Sequence, residues 1–482
     1  MKQHIPMIVL TAIVLFSLAV SIVLAQEIKP DGVQEAASQA ARSPWFTRYI
    51  HRQVSPTSVD VGSYNSIAFN PNDGLPYISY YNATNNDLML ASPQPNGTGN
   101  CGNYGDWWCR AVDGDGLEGR STDDTGQYSS IAFWKSGGDA WKLGISYYNA
   151  TTHGLRYAVW VSSGVAGHWE YHNIATGTEN YFIGWYTSLH FDSNGNPHIA
   201  YYASNNLGAD NLFYTTYVGG GTGNCGSNDN WWCQMVDSGT GVGKYASLDL
   251  RYDDALYISY YHGGLGELRY AYFAGFGNCG SGDAWYCTTI DTDGYVGAHS
   301  SLLAPRYSSD LIRVTYYDLD YHQLKYAHSG MSGGSGNCGP SNSWQCSVVD
   351  DMNAYLPVGI SMKMDLNGSP IIAYQYTDPD NPEAYDLLRI ARPNFVYGDS
   401  GSGNCGDIPA GDTEPFWRCT TLDSAGYYTD EADFVSLAVN ENGLAVISYS
   451  EKDSYYLTTS LKLAYQKASV FLPLIQGQPG GD

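Results

Sequence analysis

One block of sequence recurs seven times along this chain, and a repeat of that kind dictates the architecture before any chemistry is weighed. Its first segment carries a serine at the third position: Tyr64-Asn65-Ser66-Ile67, Tyr128-Ser129-Ser130-Ile131, Tyr186-Thr187-Ser188-Leu189, Tyr245-Ala246-Ser247-Leu248, His299-Ser300-Ser301-Leu302, Gly359-Ile360-Ser361-Met362 and Phe434-Val435-Ser436-Leu437. The second is an apolar segment with a fixed tyrosine: Tyr80, Tyr147, Tyr201, Tyr260, Tyr316, Tyr374 and Tyr449. A third reads Leu-x-x-Ala, as in Leu155 to Ala158, and a fourth reads Trp-x-Cys-x-x-Val-Asp, as in Trp231 to Asp237. Four short strands per unit, at a spacing of roughly 60 residues, predict an all-β propeller of seven blades with four antiparallel strands each.

The last unit strengthens this reading. After Phe434 come a first, a second (Val446 to Tyr449) and a third strand (Leu461 to Tyr465), but no tryptophan strand. Trp45 to His51, just before the first serine segment, has the missing spacing. Pairing it with the C-terminal strands closes the ring and leaves no sheet edge open.

Residues 1–25 read as a signal peptide or an N-terminal anchor, with Lys2, an apolar run from Ile5 to Leu24 and Val23-Leu24-Ala25 before Gln26. Residues 26–44 are a linker, 45–468 the propeller and 469–482 a C-terminal tail. The expected location is extracellular or at the cell surface, with membrane contact only through an uncleaved N-terminal segment. The ten cysteines fall into local pairs that open in Asn-Cys-Gly and close in Trp-x-Cys: Cys101 with Cys109, Cys225 with Cys233, Cys279 with Cys287, Cys338 with Cys346, and Cys405 with Cys419. Disulfides across the turn between third and fourth strands suit an oxidising compartment, and each would contribute about 2–3 kcal/mol by loop closure. The pairs sit on separate blades, which disfavours a zinc site.

The net charge of −25, with Lys and Arg scattered, excludes a phosphate-binding stripe and so nucleic acid. No metal site or cofactor is expected, with calcium as the one alternative. Asp113-Gly114-Asp115-Gly116 and Asp291-Thr292-Asp293-Gly294 begin like calcium loops, yet lack the third oxygen ligand and the distal glutamate. His168 and His172, with Glu170 between them, share strand parity and read as a polar outer strand. The repeated serines and the tryptophans Trp45, Trp107, Trp169, Trp231, Trp285, Trp344 and Trp417 read as structural positions, bonding backbone near the channel and packing blade on blade.

Segments such as Asp192 to Tyr202, in Asp-Ser-Asn-Gly-Asn-Pro-His-Ile-Ala-Tyr-Tyr, resemble those of secreted bacterial seven-bladed β-propeller repeat proteins of the sialidase-like, Asp-box-like superfamily. The ending Val470 to Ile475 resembles the tail of exported Chloroflexota proteins. The resemblance spans Trp45 to Lys467 and implies the scaffold. The strict Asp-box, an Arg-Ile-Pro segment and an assignable arginine triad are absent, and propellers host many activities.

The turns that differ between blades join second to third strands and fourth to next-first strands, on one face. There Tyr148, Asn149, Tyr202, Tyr261 and Tyr317 are the expected ligand-binding residues, with glycan or a cell-surface polymer as partner. The chain thus reads as an exported binding or scaffold protein. The alternatives are a sialidase-like glycoside hydrolase or lyase, needing two converging carboxylates from Asp318, Asp320, Glu267, Asp378 and Glu451, and a structural cell-envelope assembly protein.

Overall fold

A computed structural model describes residues 45–466 apart from 53–58, 95, 137–140, 164–165, 206, 306–309, 332–333, 353–358, 378–386, 395–402, 409–414, 424–428 and 454–457. The expected signal segment, linker and tail, and Asp378, lie outside the described residues. Seven four-stranded sheets form a ring of blades. Blade 1 runs Val61–Phe69, Pro76–Asn82, Asp87–Pro93 and Trp107–Asp113 from the axis outward. Blades 2 to 6 span residues 125–175, 181–239, 242–291, 296–351 and 360–423. Blade 7 takes its three inner strands from residues 429–466, and its outer strand is Trp45–His51, antiparallel to Thr458–Gln466 with Trp45 opposite Gln466. The expected closure is present.

The repeated residues hold neighbouring blades together. Each segment-one serine accepts a backbone N–H from the next blade: Ser66 from Ile131, Ser130 from Leu189, Ser188 from Leu248, Ser247 from Leu302, Ser301 from Met362, Ser361 from Leu437, and Ser436 from Ile67, all at 2.9–3.2 Å. These bonds form a complete circle around the axis. Farther out, Trp231, Trp285, Trp344 and Trp417 lie edge-to-face on Tyr157, Tyr214, Tyr270 and Tyr326 of the preceding blade, with centroids 5.3–5.4 Å apart. That geometry suits the aromatic quadrupole and adds to simple burial.

A third contact uses five of the basic residues, one on each of five blades. The aspartate ending the outer strand of one blade accepts the hydroxyl of the fixed tyrosine and an ion pair from the third strand of the next. Asp113 meets Tyr147 (2.7 Å) and Arg156 (2.8 Å), and Asp237 meets Tyr260 (2.6 Å) and Arg269 (2.9 Å). Asp291 meets Tyr316 and Lys325, Asp350 meets Tyr374 and Arg389, and Asp423 meets Tyr449 and Lys462. Two interfaces depart from this pattern. Ala175, Tyr201 and Phe213 occupy the positions between blades 2 and 3, and Tyr201 stacks on Phe213 at 5.5 Å. Between blades 7 and 1, His51 Nδ1 bonds the Tyr80 hydroxyl at 2.9 Å, and Met89 takes the basic position.

All five cysteine pairs are bonded as expected, and there is no free cysteine among the described residues. The asparagine of each Asn-Cys-Gly pins the same hairpin by hydrogen bonds. Asn100 accepts from Cys109 N at 2.7 Å and donates to Cys109 O at 2.8 Å. The same reciprocal pair recurs at Asn224, Asn278, Asn337 and Asn404. Among the described residues no helix is long and apolar enough to cross a membrane.

Candidate functional site

The segment-one residue two before each serine turns its side chain to the axis. Tyr64, Tyr128, Tyr186, Tyr245, His299 and Phe434 all hold φ between 52° and 56°. That left-handed conformation is unusual for bulky side chains. Register shifts between first and second strands on these blades supply the local bulge. Successive rings lie 4.1–4.9 Å apart from Phe434 through Tyr64, Tyr128, Tyr186 and Tyr245 to His299. Gly359 holds the remaining place without a ring, because a Cβ there would stand 2.2 Å from Val435 N. The channel they line encloses about 210 Å³, and its wall holds no carboxylate among the described residues. Burial pushes the His299 imidazole down to about 3, so it is neutral at physiological pH.

The residues expected to bind ligand lie beneath the surface, which corrects the expectation of open pockets around them. Tyr148, Asn149, Tyr202, Tyr261 and Tyr317 are all buried. Second strands have sheet neighbours on both sides and blades on both faces, so a tyrosine there is packed whatever turn follows it. Tyr148 and Tyr317 hydroxyls meet His153 and His322 at 3.2 and 3.1 Å, and Tyr202 donates to Asp210 at 2.8 Å. Asn149 donates to Asp123 and accepts from Thr152 N, which is turn chemistry.

The candidate acids are similarly engaged. Asp318 accepts from two backbone N–H groups and faces Lys325 at 3.6 Å. Asp320 accepts from Tyr295 N, and Glu267 accepts from the Thr289 hydroxyl. Glu451 is held by Tyr49 and Lys462. Glu267, Asp318 and Glu451 stand on blades 4, 5 and 7. The calcium-like starts bind their own chain: Asp113 takes Tyr147, Arg156 and Ser121, and Asp115 takes Arg120 and Leu117 N. His168 pairs with Glu170 on the surface, whereas His172 packs on Trp231 of the next blade.

Beneath the loop after Asp113 lies Asp87, pushed up to about 6 by burial and by the neighbouring Asp115 and Asp113 charges against Arg120. A carboxyl held above its unfolded value of 3.8 contributes stability fully present below that value and lost as pH rises through the folded one. With allowance for solvent screening at the loop, Asp87→Asn is therefore expected to stabilise the protein at pH 7 by roughly 1–2 kcal/mol and to give no gain at pH 4. Paired thermal melts at the two pH values check this.

The open sites are at the rim. The residue after the outer-strand tryptophan points the other way along the strand, and on several outer strands it is aromatic and exposed: Phe46 (40%), Trp108 (41%), Trp232 (40%) and Tyr286 (40%). The signal was present in Trp107-Trp108-Cys109 and Trp231-Trp232-Cys233, where strand alternation must put one indole outside. On blade 4, Tyr286 continues a row through its cross-strand partners Tyr272 and Tyr257, with centroids 5.3 and 6.2 Å apart.

No family model matches the chain, and no curated protein does. Among solved structures, a protein of unknown function from Dyadobacter fermentans is similar at a TM-score of 0.44 and 9% identity, over 87% of this chain and 98% of that one. The NanB sialidase of Streptococcus pneumoniae gives 0.40 and 11%, over 86% and 70%. The α-L-arabinofuranosidase Arb93A of Fusarium graminearum gives 0.42 and 12%, over 88% and 98%.

Proposed function

We propose that this protein is an exported glycan-binding propeller that holds polysaccharide at its rim and does not cleave it. The observation that carries the reading is the set of exposed aromatic side chains, Phe46, Trp108, Trp232 and Tyr286, at one repeat position of outer strands. Packing does not require an indole in water, whereas the C–H face of a sugar ring stacks well on one. Repetition on separate blades gives several weak contacts to one polymer, and linked contacts gain avidity beyond any single site. Binding is favoured over hydrolysis because the described candidate acids are engaged by the chain's own donors and the channel wall lacks a carboxylate among the described residues. The five disulfides fit a place outside the cytoplasm, where such bonds persist.

Retention on insoluble polysaccharides, compared between the natural protein and the variant with all four aromatics changed to alanine, tests this. The expected result is retention of the natural protein, at least tenfold weaker retention of the variant and no release of reducing sugar. Equal retention of both proteins would refute the reading, and steady release of reducing sugar would favour the hydrolase.

A further inference from the structure

Between blades 3 and 4 the rim opens into a groove of about 340 Å³ with a composition of its own. One wall is a row across three strands of blade 3, in which His198 lies opposite Thr216 and Thr216 opposite Trp232. The facing wall is Phe273 of blade 4, half exposed and braced edge-to-face on Trp285 at 5.4 Å. Tyr214 and Gln234, cross-strand partners, belong to the same lining.

The polar groups of this lining are fixed. The Tyr214 hydroxyl meets His198 Nδ1 at 2.6 Å, and Trp285 Nε1 donates to Gln234 Oε1 at 3.3 Å. The second bond leaves the Gln234 amide N–H groups as donors. Asp254 spends its carboxylate on Ser193, accepting from its backbone N at 2.9 Å and its hydroxyl at 2.6 Å, which ties together the first-to-second-strand turns of the two blades. Burial lowers the His198 pKa, so its imidazole is neutral at pH 7. No lysine or arginine lines the groove among the described residues, and the chain as a whole carries a charge of −25.

We propose that this groove is a subsite for a neutral pyranose ring of a glycan, stacked on Trp232 against Phe273 with hydroxyls taken by Gln234 and Thr216. Two aromatic walls match the apolar faces of such a ring, and an amide and a hydroxyl match its edge. A carboxylated sugar is excluded by the lack of any cation in the described lining and by the acidic field around it. The inference rests on the glycan-binding reading and specifies where one sugar sits and which charge it bears.

Soluble neutral oligosaccharides and their sialylated or uronic-acid counterparts, titrated calorimetrically, distinguish the outcomes. Binding of a neutral oligosaccharide is expected, with affinity about tenfold weaker in Trp232→Ala and in Phe273→Ala and several-fold weaker in Gln234→Ala. Thermal melts of each variant verify that the fold is kept, as expected where the altered aromatics are exposed. Undiminished oligosaccharide affinity in Trp232→Ala and Phe273→Ala, with retention on polysaccharide intact, overturns the groove assignment and leaves the wider reading standing. Preference for the acidic glycans overturns the assignment of neutral sugar. Absence of both oligosaccharide binding and polysaccharide retention overturns the two together.

Discussion

Lys325→Met should lower the folding stability by about 3–5 kcal/mol, the cost of leaving buried charges without their partner. Lys325 sits 2.7 Å from Asp291 and 3.6 Å from Asp318, and the two carboxylates are 3% and 1% exposed. Methionine fills nearly the same space but supplies no charge, so the loss reports electrostatics and not a cavity. Burial already raises the Asp318 pKa from its ordinary value with the lysine present. Without the lysine, protonation of Asp318 becomes more favourable, so the deficit should be largest at pH 7 and shrink towards pH 4. The triple variant Lys325→Met, Asp291→Asn, Asp318→Asn should recover most of the loss, since neutral amides need no cation. Thermal melts at a fixed scan rate provide the measurement. A Lys325→Met protein that melts like the natural one would show that the inter-blade ion pair does not support the ring.

The closing strand carries the second large effect. Removing residues 45–51 leaves Asp106 without Arg48, takes Tyr49 from Glu451 and His51 from Tyr80, and exposes the cavity filled by Ile50. The lost Asp106 ion pair and the Tyr49 and His51 hydrogen bonds each contribute about 1–3 kcal/mol. With the lost apolar burial, the sum approaches the whole stability of a domain, about 5–15 kcal/mol. The truncated protein is expected to aggregate through the uncovered strand Thr458–Gln466. A circular permutant separates the contribution of the strand from that of its position in the chain. Because Trp45 lies opposite Gln466, a two-residue turn can join them. New ends then belong in the exposed loop at Leu117 and Glu118. This permutant should be monomeric in size-exclusion chromatography and melt as the natural protein does. A soluble, monomeric truncated form with an unchanged melt would refute the claim that the strand is essential.

Blade count, closure and disulfides were legible in the sequence because each depends on residues that recur at fixed spacing. The serines were correctly read as structural for the same reason. The tyrosines of the variable turns were misplaced because the residue types suitable for sugar binding also suit a packed second strand, and only burial distinguishes the two. The aspartate, tyrosine and basic residue of each clasp were all visible, but they lie in different repeats. Their meeting depends on the offset between neighbouring blades, which no single repeat displays. The exposed indoles could have been found from strand parity alone. The groove could not, since His198 and Phe273 come from different blades and join only through ring geometry.

The five clasps all point the same way around the ring: each lends the end of one blade's outer strand to the blade that follows. Loss of a clasp therefore falls on the blade that follows. If the outer strand of blade 3 frays, Tyr260 and Arg269 of blade 4 lose Asp237, while blade 2 loses no clasp. The interfaces from blade 3 to blade 7 are joined in this manner without a break. Blade 3 itself asks for no acid, because Tyr201 rests on Phe213 beside Ala175. That joint lacks a clasp, as does the one between blades 7 and 1 where His51 meets Tyr80, so the clasps form a long run from blade 3 through blade 7 and a short one of blades 1 and 2. Amide exchange in the native state would register the two runs as units of different protection, with a boundary between residues 175 and 181.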